Sequence, residues 1–121
     1  MRLVFMVTGE ISEATFADAL AGPHEVVGLV TQPDRPVGRK QVLTAPKVKE
    51  LAIAAGVPVI QPESVREKEA LAQLRDWAPE VIVVMAYGQI LPQSLIDIPS
   101  RAIINLHASL QLSSDARISG Q

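Results

Sequence analysis

Residues 81–86 read "VIVVMA", an unbroken apolar run in which four of six residues are Val or Ile. A strand with one wet face alternates apolar with polar residues, so a continuous run of β-branched residues reads as a strand covered on both faces. The same kind of run recurs at 3–7 ("LVFMV"), 25–30 ("EVVGLV"), 57–60 ("VPVI") and 102–106 ("AIINL"). Between these runs the spacing becomes helical. In 44–56, Val48, Leu51, Ala52 and Ala55 share a face, and Gly56 stands where a helix C-terminus takes glycine. In 64–78, Leu71, Leu74 and Trp77 share a face, and Ser64 and Glu67 have capping-box spacing. A weaker pattern at 11–20 puts Phe16 and Leu20 one turn apart, and 91–97 reads as a short helix led by Pro92.

Strands alternating with helices predict an α/β fold: a Rossmann-like doubly wound parallel sheet of about five strands in the order 3-2-1-4-5. The 121 residues carry no repeat or interdomain linker and are expected to form one unit. The one Pro/Gly-rich segment, "TQPDRPVGR" at 31–39, reads as an exposed loop. The stretch 111–121 loses the apolar pattern and carries no recognisable element. Five strands alone leave a sheet edge bare, which invites self-association. Ligands of such sheets sit beyond the carboxyl ends of the strands, where the strand order reverses. That rule brings together 7–12, 87–92 and 105–110.

Hydrophobic residues make up 48% of the chain and aromatics 3%, so the core must come from Val, Ile, Leu and Ala. A net charge of −2 argues against a globally basic nucleic-acid binder while leaving room for a local basic patch. The absence of cysteine excludes disulfides, thiolate zinc sites and a cysteine nucleophile, and fits a cytoplasmic protein. The run at 3–7 is too short for a membrane span or a signal peptide. Dinucleotide, P-loop, nucleophile-elbow and H-E-x-x-H fingerprints are all missing, and no metal is expected.

Asn105 and His107 remain. Two residues apart on a strand, they point to the same side, at the strand's C-terminal mouth. An amide donor and an imidazole aimed together suit an oxygen that becomes an anion during acyl transfer. The alternative is that both cap a sheet edge against a neighbouring loop. Tyr87, Gly88 and Gln89 follow the run at 81–86; a glycine there lets backbone approach a flat ligand, or else simply forms the turn into the next helix. Arg35, Arg39 and Lys40 share a segment with Asp34. The cluster either grips a phosphate backbone or is a solvated set of charges. His24, in "GPHEVV", reads as a turn residue.

The stretches "HEVVGLVTQPDRPVGR", "VKELA", "GVPVIQPES", "EVIVVMAYGQILP" and "INLHASL" occur in this order over about 24–110. Together they closely resemble the amino-terminal part of the methionyl-tRNA formyltransferases, a branch of the folate-dependent formyltransferase family. The resemblance implies the formyltransferase type of Rossmann-like sheet, with 1–121 as the amino-terminal part of a catalytic domain and a C-terminal domain beyond it. It implies formyl transfer from 10-formyltetrahydrofolate to the amino group of methionyl initiator tRNA, in the cytoplasm. On its terms Asn105 and His107 are the catalytic pair, and Tyr87, Gly88, Gln89, Ile90, Leu91 and Pro92 cradle the folate. Arg35, Arg39 and Lys40 contact the tRNA. The alternatives are a small amine as acceptor, or a fragment that binds folate or a nucleotide without turnover.

The sequence departs from the family at several places. Gln111, Leu112, Ser113, Ser114, Asp115 and Ala116 replace a Leu-Pro-x-x-x-Gly segment, and Val7, Thr8 and Gly9 replace Gly-Thr-Pro. Gln41 and Val42 replace lysines after the arginine. The family's catalytic aspartate lies downstream of its Asn-x-His segment, beyond Gln121. The expectation is therefore weak or absent formylation by residues 1–121 alone.

Overall fold

The computed structural model describes residues 1–8, 11–37, 40, 42–85, 87–106 and 117–119. Five parallel strands form its centre: β1 (Arg2–Val7), β2 (Glu25–Val30), β5 (Val59–Ile60), β6 (Val81–Met85) and β7 (Ala102–Leu106). Their order is β5-β2-β1-β6-β7, which is the 3-2-1-4-5 arrangement expected from the sequence. A sixth strand, β8 (Arg117–Ser119), lies antiparallel on β7, with Arg117 opposite Asn105 and Ile118 opposite Ile104. This corrects two expectations. The closing segment does carry an element, and the edge beside β7 is covered. A three-residue strand falls below the length at which alternation is readable in a sequence.

The helices are α1 (Ile11–Ala21), α2 (Lys47–Ala54), α3 (Lys68–Trp77) and α4 (Gln93–Ile96). Side chains alternate across the sheet, and each strand therefore feeds two cores. Leu3, Phe5 and Val7 of β1 join Val81, Val83 and Met85 of β6, facing Phe16 of α1 and Val48 and Ala52 of α2. Val4, Met6, Ile82 and Val84 face Leu71, Leu74 and Trp77 of α3 and Leu95 of α4. The low aromatic content is concentrated at the helix contacts. Phe5 and Phe16 meet edge to face at 5.3 Å, and Trp77 lies across β2 at Gly28. A Cβ on Gly28 would come within 3.0 Å of the indole carbons, so glycine is what admits the ring.

The helix ends show how local chemistry sets boundaries. At the end of α2, Gly56 has φ +74° and donates its N–H to the Ile53 carbonyl at 3.1 Å. Val57 N–H reaches the Ala52 carbonyl at 2.8 Å, and Val57 and Ala52 share a core, which makes a Schellman motif. At α3 the capping box is only half made. Glu67 Oε2 accepts the Ser64 N–H at 2.8 Å, but Ser64 Oγ takes the Arg66 N–H at 3.1 Å. The box thus closes a turn ahead of the helix, which begins at Lys68 and not at residue 64.

The segment at 31–39 is not a plain loop. Its second half forms β3 (Arg35–Val37), paired antiparallel with β4 (Val42–Thr44) in a separate two-stranded sheet. Proline and glycine marked the turn in the sequence, but β-branched Val37, Val42 and Thr44 supply the strand propensity on either side. The hairpin also delays α2, whose N-cap is Pro46.

The N-terminal rim of the sheet is tied by polar contacts. Arg2 N–H donates to Glu80 Oε1 at 3.0 Å, and Glu80 N–H returns to the Arg2 carbonyl at 2.9 Å. Arg101 Nε lies 3.3 Å from Glu80 Oε2, and the Arg2 guanidinium reaches the carbonyls of Trp77 and Ala78. The Arg2 N–H bond, then the nearby positive charges, hold the Glu80 carboxyl below its ordinary value of 4.5 against a smaller opposing effect of burial.

Two outcomes follow. Gly28→Ala should lower unfolding free energy by about 1–3 kcal/mol, the usual cost of overpacking, as read by urea denaturation. Glu80 is harder to protonate folded than unfolded, so its contribution is present above pH 4.5 and is lost as pH falls through the lower folded value. The stability gap between the parent chain and Glu80→Gln should therefore narrow as the pH is taken down from 5 to 3 in denaturant titrations.

Candidate functional site

The parallel register decides what meets at the carboxyl end of the sheet. Val7, the last residue of β1, pairs with Met85, the last of β6, and Met85 pairs with Leu106, the last of β7. The strand order reverses between β1 and β6, because the chain winds toward β2 and β5 on one side and toward β7 on the other. The strand ends from which the three segments named in the sequence depart therefore lie side by side, as the switch-point rule requires, while residues 9, 10 and 107–110 lie outside the described residues.

Asn105 is the penultimate residue of β7, half-buried and paired with Val84 of β6. Alternation puts it on the same sheet face as Ile103 and Val84, both members of the core that contains Tyr87 and Leu95. Asn105 and the turn after β6 thus share one side of the mouth. His107 lies outside the described residues, and so does the expected meeting of amide and imidazole.

The turn after β6 is held from two directions. The Tyr87 carbonyl accepts Gln32 Nε2 at 3.1 Å. Gln89 Oε1 accepts the Val65 N–H at 3.0 Å, and its Nε2 donates to the Glu63 carbonyl at 3.2 Å. The Gln89 side chain is thereby committed to the protein, which leaves its backbone for a ligand. Gly88 takes φ +80°, a conformation that favours glycine. Ile90 is 83% exposed, Leu91 packs on the core, and Pro92 caps α4 with an extended backbone.

Tyr87 is not an exposed ring on the cleft wall. It is buried, and its hydroxyl has no hydrogen-bond partner among the described residues. Burial, and to a smaller degree the charge of Glu67, push its pKa up to about 12. Such a phenol stays protonated through neutral pH and is no proton acceptor. The ring serves as packing beneath the turn.

Arg35 opens β3, Lys40 is exposed, and Arg39 lies outside the described residues. At the base of the hairpin Asp34 accepts Lys49 Nζ at 3.3 Å and Gln61 Nε2 at 2.6 Å. The Gln61 bond, then Lys49, hold its carboxyl below the ordinary value of 3.8, against an opposing effect of burial. Gln32 and Gln61 were not singled out in the sequence. The available signal was that each follows a strand within two residues and stands immediately before a proline, "TQP" and "IQP". A depression of about 360 Å³ lies beside Gln61, between β5 and α3, with Glu67 and Gln73 on its walls. It is lined by neither Asn105 nor the 87–92 turn.

Among the described residues no group of three or more His, Asp or Glu could hold a metal ion. Among them, too, no helix is long and apolar enough to cross a membrane.

Known proteins resemble this chain in sequence and in fold. The methionyl-tRNA formyltransferase of Acidithiobacillus ferrooxidans is 53% identical over 109 residues, covering 90% of this chain and 35% of that protein. The methionyl-tRNA formyltransferases of Akkermansia muciniphila and Bacillus subtilis are 56% and 50% identical, over 91% and 90% of this chain. The chain spans about a third of the length of these curated relatives. Among solved structures, phosphoribosylglycinamide formyltransferase from Bacillus halodurans superposes with a TM-score of 0.66 at 20% identity, over 92% of this chain and 58% of that one. Glycinamide ribonucleotide transformylase 1 from Geobacillus kaustophilus gives 0.60 at 25% identity, over 88% and 57%. Residues 1–112 match the family described as formyl transferase, and the chain belongs to that family.

Proposed function

We propose that residues 1–121 form the amino-terminal part of a catalytic domain that moves a formyl group from 10-formyltetrahydrofolate to the α-amino group of methionyl initiator tRNA, in the cytoplasm. The observation that carries this reading is the placement of Asn105 on the same face of the switch-point mouth as the glycine turn after β6. The roughly 50% identity to curated methionyl-tRNA formyltransferases supports the choice of acceptor.

The chemistry follows from that placement. The amine nitrogen forms a bond to the formyl carbon, and the carbonyl electrons move onto the formyl oxygen. Asn105 and His107 donate hydrogen bonds to that oxygen as it gains charge. Collapse of the intermediate breaks the bond to the folate nitrogen, which takes up a proton, while the amine gives one up. Donors aimed at a developing oxyanion are each worth about 2.7–4 kcal/mol of barrier. The backbone of Tyr87, Gly88, Gln89, Ile90, Leu91 and Pro92 offers edge contacts to a flat ring. Arg35, Arg39 and Lys40 bring phosphate contacts that position a tRNA without reading its sequence. The paired strands of the hairpin that Arg35 opens support this acceptor over a small amine, which needs no such arm.

In the full-length enzyme carrying this segment, Asn105→Ala and His107→Ala should each lower kcat for formylation by about 10²–10³-fold while a folate analogue still binds. Analogue binding with no product from the parent enzyme would instead mark a non-catalytic folate module. Residues 1–121 alone are expected to bind the analogue and turn over poorly. Self-association is the remaining partner in this proposal. The outer edges of the sheet belong to β5 and β8, and β5 is two residues long between Pro58 and Pro62. Pairing between copies is therefore expected along β8. Light scattering at high concentration should detect dimers of residues 1–121, and a clean monomer would count against it.

A further inference from the structure

Four polar side chains outside the proposed chemistry form a continuous chain along the carboxyl end of the sheet. Gln32, two residues past β2, donates Nε2 to the Tyr87 carbonyl at 3.1 Å. Gln61, next after β5, donates its Nε2 both to the Gln32 carbonyl at 3.0 Å and to Asp34 Oδ1 at 2.6 Å. Lys49 of α2 reaches the two Asp34 oxygens at 3.3 and 3.4 Å. The chain thus spans the ends of β2, β5 and β6 and anchors on a helix.

Its position relative to the hairpin is informative. Asp34 immediately precedes β3, and Lys49 lies in the first turn of α2, just after β4. The hairpin leaves and rejoins the body between these two residues, so their ion pair closes its base. Both side chains are half-buried, at 24% and 30% exposure, which shelters the pair more than an open surface bridge. Gln61 is the junction, because one amide nitrogen serves the hairpin's anchor and the strand end that holds the turn.

We infer that Asp34 is a positioning residue: clamped by Lys49 and Gln61, it sets the direction in which the β3–β4 hairpin leaves the sheet, and through Gln61 and Gln32 it ties that hairpin to the turn at Tyr87 and Gly88. This rests on the proposed function for what the two elements hold: the hairpin an RNA acceptor stem, the turn a folate. One polar chain then aligns acceptor with donor. Asp34 touches neither substrate and acts through the elements that do.

The test pairs kinetics with amide hydrogen exchange on the full-length enzyme carrying this segment. Asp34→Asn keeps the shape and the oxygen that Gln61 uses, but removes the charge facing Lys49. It should raise KM for tRNA about tenfold, the scale of a lost charge-assisted bond, with kcat and the folate KM within about twofold. Lys49→Met should do the same. Gln61→Met should raise both KM values. The swap Asp34→Lys with Lys49→Asp should recover part of the loss. Exchange at 35, 37 and 42–44 should accelerate in Asp34→Asn at an unchanged thermal midpoint, and in Gln61→Met the acceleration should extend to 88–89. Unchanged hairpin exchange, or uniform acceleration with a lowered midpoint in both Asp34→Asn and Lys49→Met, overturns the inference. So does a tRNA KM that does not move in an active enzyme. Faster hairpin exchange in an enzyme that forms no formylated product removes the proposed function and leaves the clamp standing.

Discussion

The parallel pairing of β1 with β2 on one side and β6 on the other is the constraint from which the rest follows. A strand flanked on both edges and covered on both faces must be apolar throughout. Val4, Met6 and Val7 are accordingly almost wholly inaccessible. Because the strands are parallel and the last residues of β1, β6 and β7 pair with one another, their carboxyl ends reach the same level. Each loop that leaves them starts within reach of its neighbours. The mouth of the sheet is therefore a product of backbone geometry before any side chain is chosen, and Asn105 needs only to fall on the correct parity of β7 to enter it.

The two rims of the sheet are built for different purposes. At the amino ends Glu80 gathers the backbone of Arg2 and the backbone and side chain of Arg101, a compact knot that no proposed substrate approaches. At the carboxyl ends the turn after β6 is held by the amides of Gln32 and Gln89, whose partners there are main-chain carbonyls and an N–H group. Amides fix the position of a turn without bringing in a full charge. That suits a place where the developing charge is expected on the substrate.

What could be read from the sequence depended on the range of each signal. The unbroken Val and Ile runs announced buried strands, and five of them alternating with helical spacing led to the correct sheet order. Gly56 announced the end of α2 and does adopt the left-handed geometry. Short or non-local features were out of reach. Three-residue strands such as β3, β4 and β8 depend on partners elsewhere in the chain, and 31–39 read as a loop because proline and glycine dominate its composition. The capping box was recognisable at Ser64 and Glu67, yet Ser64 Oγ found a nearer donor and the helix started later. The positions of Asn105 and the glycine turn were legible because one stands near the end of an apolar run and the other shortly after one. The Gln32, Gln61 and Asp34 bonds were not, because they join residues from separate strands. Tyr87 was legible as a position, while its burial in the core cluster that also holds Val65, Leu71 and Leu95 became evident only with the packing.

The chain contains a single tryptophan, and it is the ring that rests in the notch left by Gly28. Any loosening of α3 from the sheet must wet that indole, whereas motion of the hairpin leaves it dry. The molecule therefore carries its own fluorescent gauge for one seam of its core, so that breathing of the helical layer can be told apart optically from movement at the substrate end.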